Sequence, residues 1–144
     1  MHVLRSRKLL VGPVLLLALL TAACTDRQMR QASVAIRDFA VGLEKTQEAV
    51  GIAHDSRFIS DSDYRAIQKA IGEVAGYGQE AVTAIRVAKS KPDAIAAIDK
   101  ALEATDRLLK AGQLGIKNDN TKVAITAIIL SVRTTLVTAK ALLS

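Results

Sequence analysis

Apolar residues recur in this chain at alternating steps of three and four, in four separate stretches. An α-helix completes a turn in about 3.6 residues, so this spacing gathers apolar side chains into one stripe that must be buried against a neighbour. Ala32, Ile36, Phe39, Leu43, Thr46, Val50 and Ala53 predict a first helix over about 27–54. Tyr64, Ile67, Ile71, Val74, Gly78, Ala81, Ile85 and Ala88 predict a second over about 61–89. Ile95, Ile98, Leu102, Thr105 and Leu109 carry a third that ends near Gly112. Ile125, Ile128, Val132, Thr135, Ala139 and Leu142, widened by Ile129, Leu136 and Leu143, carry a fourth over about 119–143. That last segment is rich in Val, Ile and Thr, which favour strands, yet it lacks strict alternation and Ala recurs through it.

The boundaries between these stretches carry their own chemistry. Ser60, Ser90 and Asn118 each precede a stretch and offer a side-chain oxygen to the unpaired N–H groups of a first helical turn. Asp61 and Asp63 suit that turn electrostatically, and Ile59 is placed to staple against Tyr64. Pro92 fits only a first turn, and Gly112 to Asn118 has the glycine and asparagine content of a connection. Short connections make antiparallel neighbours, so the fold class expected is all-α: an antiparallel up-down-up-down four-helix bundle. With 144 residues, half of them hydrophobic and 24% charged, one globular domain with its own core is the fitting scale.

Ahead of the bundle the pattern changes. Residues 1–8, MHVLRSRK, are basic, and residues 9–20, LLVGPVLLLALL, are a run of twelve apolar residues with no polar face. A helix needs about twenty such residues to cross a bilayer, whereas a basic segment, a short apolar run and small residues describe a secretory signal. Three of the 20 basic side chains lie in this segment, so the formal charge of +6 falls to +3 once it is removed. A surplus that small, spread over many turns, makes no phosphate-binding stripe, and no nucleic-acid partner is expected.

The apolar run ends in Leu20-Thr21-Ala22-Ala23-Cys24, which resembles the lipobox of bacterial lipoproteins. Ala22, Ala23 and Cys24 match that pattern, while Thr21 stands where Leu or another aliphatic is more usual. The resemblance covers residues 1 to about 25 and is silent on the domain behind. It implies cleavage between Ala23 and Cys24, lipid on the Cys24 sulfur, and membrane attachment through that lipid. Thr25, rather than Asp, by resemblance to the lipoproteins of proteobacteria favours the periplasmic face of the outer membrane if the source is Gram-negative. Cys24 is the only cysteine, so no intramolecular disulfide forms, and it sits where apolar sequence gives way to Thr25-Asp26-Arg27-Gln28. Thr21-Ala22-Ala23 also reads as an ordinary secretory cleavage site, which would leave a free thiol. The division expected is a signal peptide over 1–23, a lipidated tether over 24–30 and the bundle over 31–144.

Side chains suited to reaction chemistry are scarce. His2 leaves with the signal and His54 stands at a helix end, where it is read as meeting terminal carbonyls. Asp55, Asp61 and Asp63 lie nearby, but aligning Asp63 with the last ligand of a calcium loop puts Ile52, His54, Ser56 and Arg57 at positions that need oxygen ligands and glycine. They are read as helix-capping residues, with no metal and no cofactor expected. Gly72, Gly76 and Gly78 each weaken a helix by about 1 kcal/mol relative to alanine, which calls for a packing reason such as room at Gly78 for Phe39. Ser131, Thr134, Thr135 and Thr138 are read as hydroxyls bonded to the preceding turn. Tyr77 lies off the stripe of its helix and is a candidate partner contact. The function expected is a noncatalytic envelope interaction or structural module, binding another envelope protein or itself; the alternative is a periplasmic carrier of a small apolar or lipid ligand.

Overall fold

The computed structural model describes the backbone from residue 11 and the side chains from residue 26. Its described residues form helices α1 (Val11–Asp55), α2 (Asp61–Thr83), α3 (Lys91–Gly115) and α4 (Asp119–Leu143), with α2 prolonged by a wider π-helical turn over Ala84–Ala88. Each helix packs on the next and α4 returns to α1, so the order around the bundle is the order along the chain. Ion pairs record the directions: Asp99 and Asp106 of α3 meet Lys140 and Arg133 of α4 in reversed order, at 2.6 and 2.9 Å. The all-α up-down-up-down bundle is therefore the fold.

The predicted stripe of α1 is buried in full, from Ala32 to Ala53. Thr46 survives there because its hydroxyl donates to the Gly42 carbonyl at 2.9 Å, which removes the penalty of an unpaired buried oxygen. All three predicted caps form: the side chains of Ser60, Ser90 and Asn118 accept from the backbone N–H of Asp63, Asp93 and Thr121.

Several expectations need correction. Helix α1 extends well before residue 27, and Gln28 and Met29, in the stretch read as a tether, already engage the bundle. Met29 is buried, and Gln28 accepts a 2.5 Å hydrogen bond from Lys91 Nζ of α3. Helix α3 runs through Gly112 to Gly115 instead of stopping at the first glycine. Both glycines are buried, and a Cβ built on Gly115 would stand 2.9 Å from Asp63 Cβ, so this glycine admits the start of α2 rather than breaking a helix. The inward face of α3 also differs from its predicted stripe. Ala94, Ala97, Ala101 and Ala104 are buried beside Ile98 and Leu108, while Ile95, Leu102 and Leu109 lie half-buried at the edges. A row of methyl groups lets the axes of α2 and α3 approach closely, which a row of Ile and Leu would prevent. In α2, Ala88 is exposed because the widened last turn rotates it off the stripe.

Phe39 of α1 does occupy the room left at Gly78 of α2: a Cβ there would come within 3.0 Å of Phe39 Cζ and nearer still to Cε1. Gly42 is matched likewise to Val132 of α4, at 2.9 Å from a built Cβ. Gly72 and Gly76, by contrast, face open space, and no packing reason holds them as glycine. Replacing Gly78 by Ala should therefore destabilise the bundle by about 1–3 kcal/mol through overpacking against Phe39. Gly72→Ala and Gly76→Ala should each stabilise it, by up to about 1 kcal/mol, through helix propensity. Urea unfolding of the three variants separates these outcomes.

Candidate functional site

At one end of the bundle the α1–α2 and α3–α4 connections lie side by side. Ile59 and Ile116 form an isolated antiparallel bridge, both side chains are buried, and Lys117 N–H donates to the Phe58 carbonyl at 2.9 Å. Arg57 turns the chain with φ at 61°, the left-handed conformation usually left to glycine. That turn brings the start of α2 against the end of α1 and gathers His54, Ser60, Asp61 and Asp63. His54 Nε2–H donates to Asp61 Oδ1 at 2.8 Å, and its ring stacks on Tyr64 with centroids 4.1 Å apart. His54 thus pairs with a carboxylate rather than with terminal carbonyls, and the ring expected to staple against Ile59 stacks on histidine. Ser60 Oγ donates to Asp63 Oδ2 at 2.6 Å while accepting from Asp63 N–H, so Asp63 closes the helix cap.

In geometry this cluster joins the end of α1 to the start of α2. Asp61 is fully exposed, and the hydrogen bond and positive charge of His54 hold its carboxyl below the ordinary carboxylate range. A pair so open to water contributes little to stability. Among the described residues no group of three His, Cys, Asp or Glu side chains is gathered for a metal ion.

The second feature is α4 itself. It is 25 residues long and contains an 18-residue window of mean hydropathy 1.5, long and apolar enough by length and composition to cross a bilayer. Ile125, Ile129, Val132, Leu136, Ala139 and Leu143 account for one apolar face and are buried in the core. A second face looks outward: Val123, Leu130 and Val137 are 68%, 45% and 44% exposed, and Ala127, Thr134 and Ala141, which alternate with them, are also exposed. No charged residue stands on this outer stripe. Arg133 and Lys140 flank it on the α3 side, each paired to an α3 aspartate. On the α1 side, Ala127, Ile128, Ser131 and Thr135 line a shallow groove with Val41, Gly42, Asp38 and Lys45 of α1. Thr134, Thr135 and Thr138 donate to the carbonyls of Leu130, Val132 and Thr134 at 2.7–3.0 Å, as their spacing predicted, whereas Ser131, read in the same way, makes no such bond among the described residues.

Of the sequence-predicted site residues, Tyr77 is half-buried against the core, with Lys100 Nζ 5.8 Å from its ring centroid. The side chains of Ala23 and Cys24, with the signal and its cleavage point, lie outside the described residues. The outer stripe of α4 was not singled out from sequence. Its signal was available: from Val123 to Val132 there is no charged side chain on either side of the helix. No protein-family model, curated protein or solved structure matches this chain.

The His54–Asp61 pair yields a pH prediction. A carboxyl whose folded value is depressed adds stability above its unfolded value, about 3.9, and loses it as pH falls through the folded value. Asp61→Asn should thus lower the melting temperature slightly at neutral pH, and the gap between wild type and variant should close on acidification below the carboxylate range. A gap that stays constant with pH would show that the effect does not come from the Asp61 charge.

Proposed function

We propose that the chain is an exported bacterial lipoprotein, cut between Ala23 and Cys24 and attached to the envelope membrane by lipid on Cys24. Its bundle acts there as a noncatalytic interaction module. The observation that carries this reading is the passage from a basic segment through twelve apolar residues to Ala22-Ala23 and the chain's single cysteine. Each buried methylene contributes about 0.8 kcal/mol, so one acyl chain binds reversibly and two or three hold the protein at the surface.

The geometry of the described residues supports the second half. The space between the helices is filled by Ile36, Ile67, Ile98, Leu108, Ile129 and Leu136, all at most 2% exposed, which leaves the interior to side chains rather than to a carried ligand. The described concavities are open surface grooves, one between α1 and α4 and one bordered by Met29, Arg30, Ile85 and Arg86. Among the described residues His54 meets Asp61 at 2.8 Å and Asp55 at 3.8 Å, and these contacts join α1 to α2 at an exposed corner. An uncharged outer helix face is what a protein partner would use, because covering it desolvates no ion.

Intact mass of the wild-type chain extracted from membranes, beside a Cys24→Ser variant, tests the address. Wild type should carry a lipid mass on a chain that begins at residue 24 and should partition with membranes, and the variant should lose both. Wild type recovered in the soluble fraction with an unmodified thiol would overturn the anchoring.

A further inference from the structure

We propose that the partner of the α4 outer face is a second copy of this chain, packed antiparallel to the first across a two-fold axis at the level of Val132. This deepens and rests on the reading of the bundle as an interaction module; the lipid sets how densely copies meet, not which face they use.

The stripe reads Val123, Ala127, Leu130, Thr134, Val137, Ala141, at steps of four and three. Large and small residues alternate along it. Turned end for end about residue 132, the stripe sets Val123 against Ala141, Ala127 against Val137 and Leu130 against Thr134. Val123 and Val137 then face alanines and Leu130 faces Thr134, and each contact occurs twice. An isologous dimer requires this self-complementarity of one surface, whereas an unrelated partner or a lipid surface does not. The small residues also allow the two helix axes to approach to about 8 Å.

The threonine hydroxyls do not oppose closure. The hydroxyls of Thr134 and Thr138 are already bonded to carbonyls of their own helix, so covering them leaves no donor stranded. Ala124, Ser131 and Thr138 form the neighbouring row toward α1, and none is charged. On the α3 side Arg133 and Lys140 are neutralised by Asp106 and Asp99 and form a rim.

The contact is about 27 Å long at 1.5 Å per residue. It covers on the order of 500 Å² per copy, less than the roughly 800 Å² of a standard interface. Val41, exposed in the groove beside Ser131, borders the contact near the axis together with the charged Asp38 and Lys45. The pair is therefore weak in dilute solution and fills when copies are concentrated on one surface. The two amino termini leave it at opposite ends, so anchored copies lie lengthwise along the bilayer.

Single cysteines in the full chain, oxidised in cell membranes and read on non-reducing gels, test the arrangement. Ser131 lies beside the axis and meets its own copy, whereas Val123 lies about 27 Å from its copy, far beyond the roughly 7 Å that a disulfide spans between Cα atoms. Ser131→Cys should give at least tenfold more disulfide-linked dimer than Val123→Cys. Adding Leu130→Glu to Ser131→Cys should abolish that dimer without changing the melting temperature, since Leu130 is exposed. No dimer from Ser131→Cys, or dimer from Val123→Cys in its place, overturns the proposal. So does loss of membrane partitioning by a Cys24→Ser, Leu130→Glu chain relative to Cys24→Ser when Ser131→Cys stays monomeric, because the face then rests on lipid. The wild-type chain on the same gels keeps the two readings apart: a dimer linked through Cys24 means a free thiol and sinks the anchoring, while the Ser131→Cys result stands or falls alone.

Discussion

Close helix approach over small side chains is the constraint on which this bundle rests. Phe39 enters the space above Gly78, Val132 enters that above Gly42, and the start of α2 rests on Gly115. Between α2 and α3 the same role falls to a row of alanines, Ala94, Ala97, Ala101 and Ala104. Interiors pack near crystal density, so each large residue needs a matching absence on the facing helix. With two Phe, two Tyr and no Trp in the chain, the core is built from Ile, Leu, Val and Ala, and its specificity comes from where the small residues fall.

The chain reversals obey a different economy. Helix starts are closed by Ser60, Ser90 and Asn118, as general capping chemistry requires. The left-handed positions that close α1 and α2 are filled by Arg57 and Lys89 instead of glycine. Such positions carry strain and persist because neighbours hold them. At Arg57 the neighbours are the Ile59–Ile116 bridge and the His54–Asp61 pair; at Lys89 they are the bonds that Lys89 and Ser90 N–H make to the Ala84 carbonyl, which widen the last turn of α2. Histidine, aspartate and tyrosine at the first of these corners thus resemble a reactive group in composition and serve as a fastening in geometry.

Helix α4 links fold to function. A helix at the surface of a four-helix bundle ordinarily shows water a charged face, yet this one is apolar inward and uncharged outward. The inward face is accounted for by α1 and α3. The outward face has no such account within one chain, and the proposed dimer is the arrangement whose symmetry matches its order of large and small residues. Together with lipid on Cys24, it makes the proposed protein an envelope module whose association depends on its surface density.

By itself the sequence determined the helix count, their order and their caps, because these depend on local spacing and on first-turn hydrogen bonds. It also carries the whole of the proposed anchor, since cleavage and lipidation act on a short linear segment. The tertiary structure alone decided which of two adjacent stripes of α3 faces inward, that Gly115 admits a helix while Gly72 and Gly76 admit nothing, and that His54 meets Asp61 rather than carbonyls. Val123, Leu130 and Val137 could equally have been core residues on spacing alone, and only the placement of α1 and α3 left them outside. Periodicity says that a face must be covered, but what covers it depends on contacts between residues far apart in the chain, which no local pattern encodes.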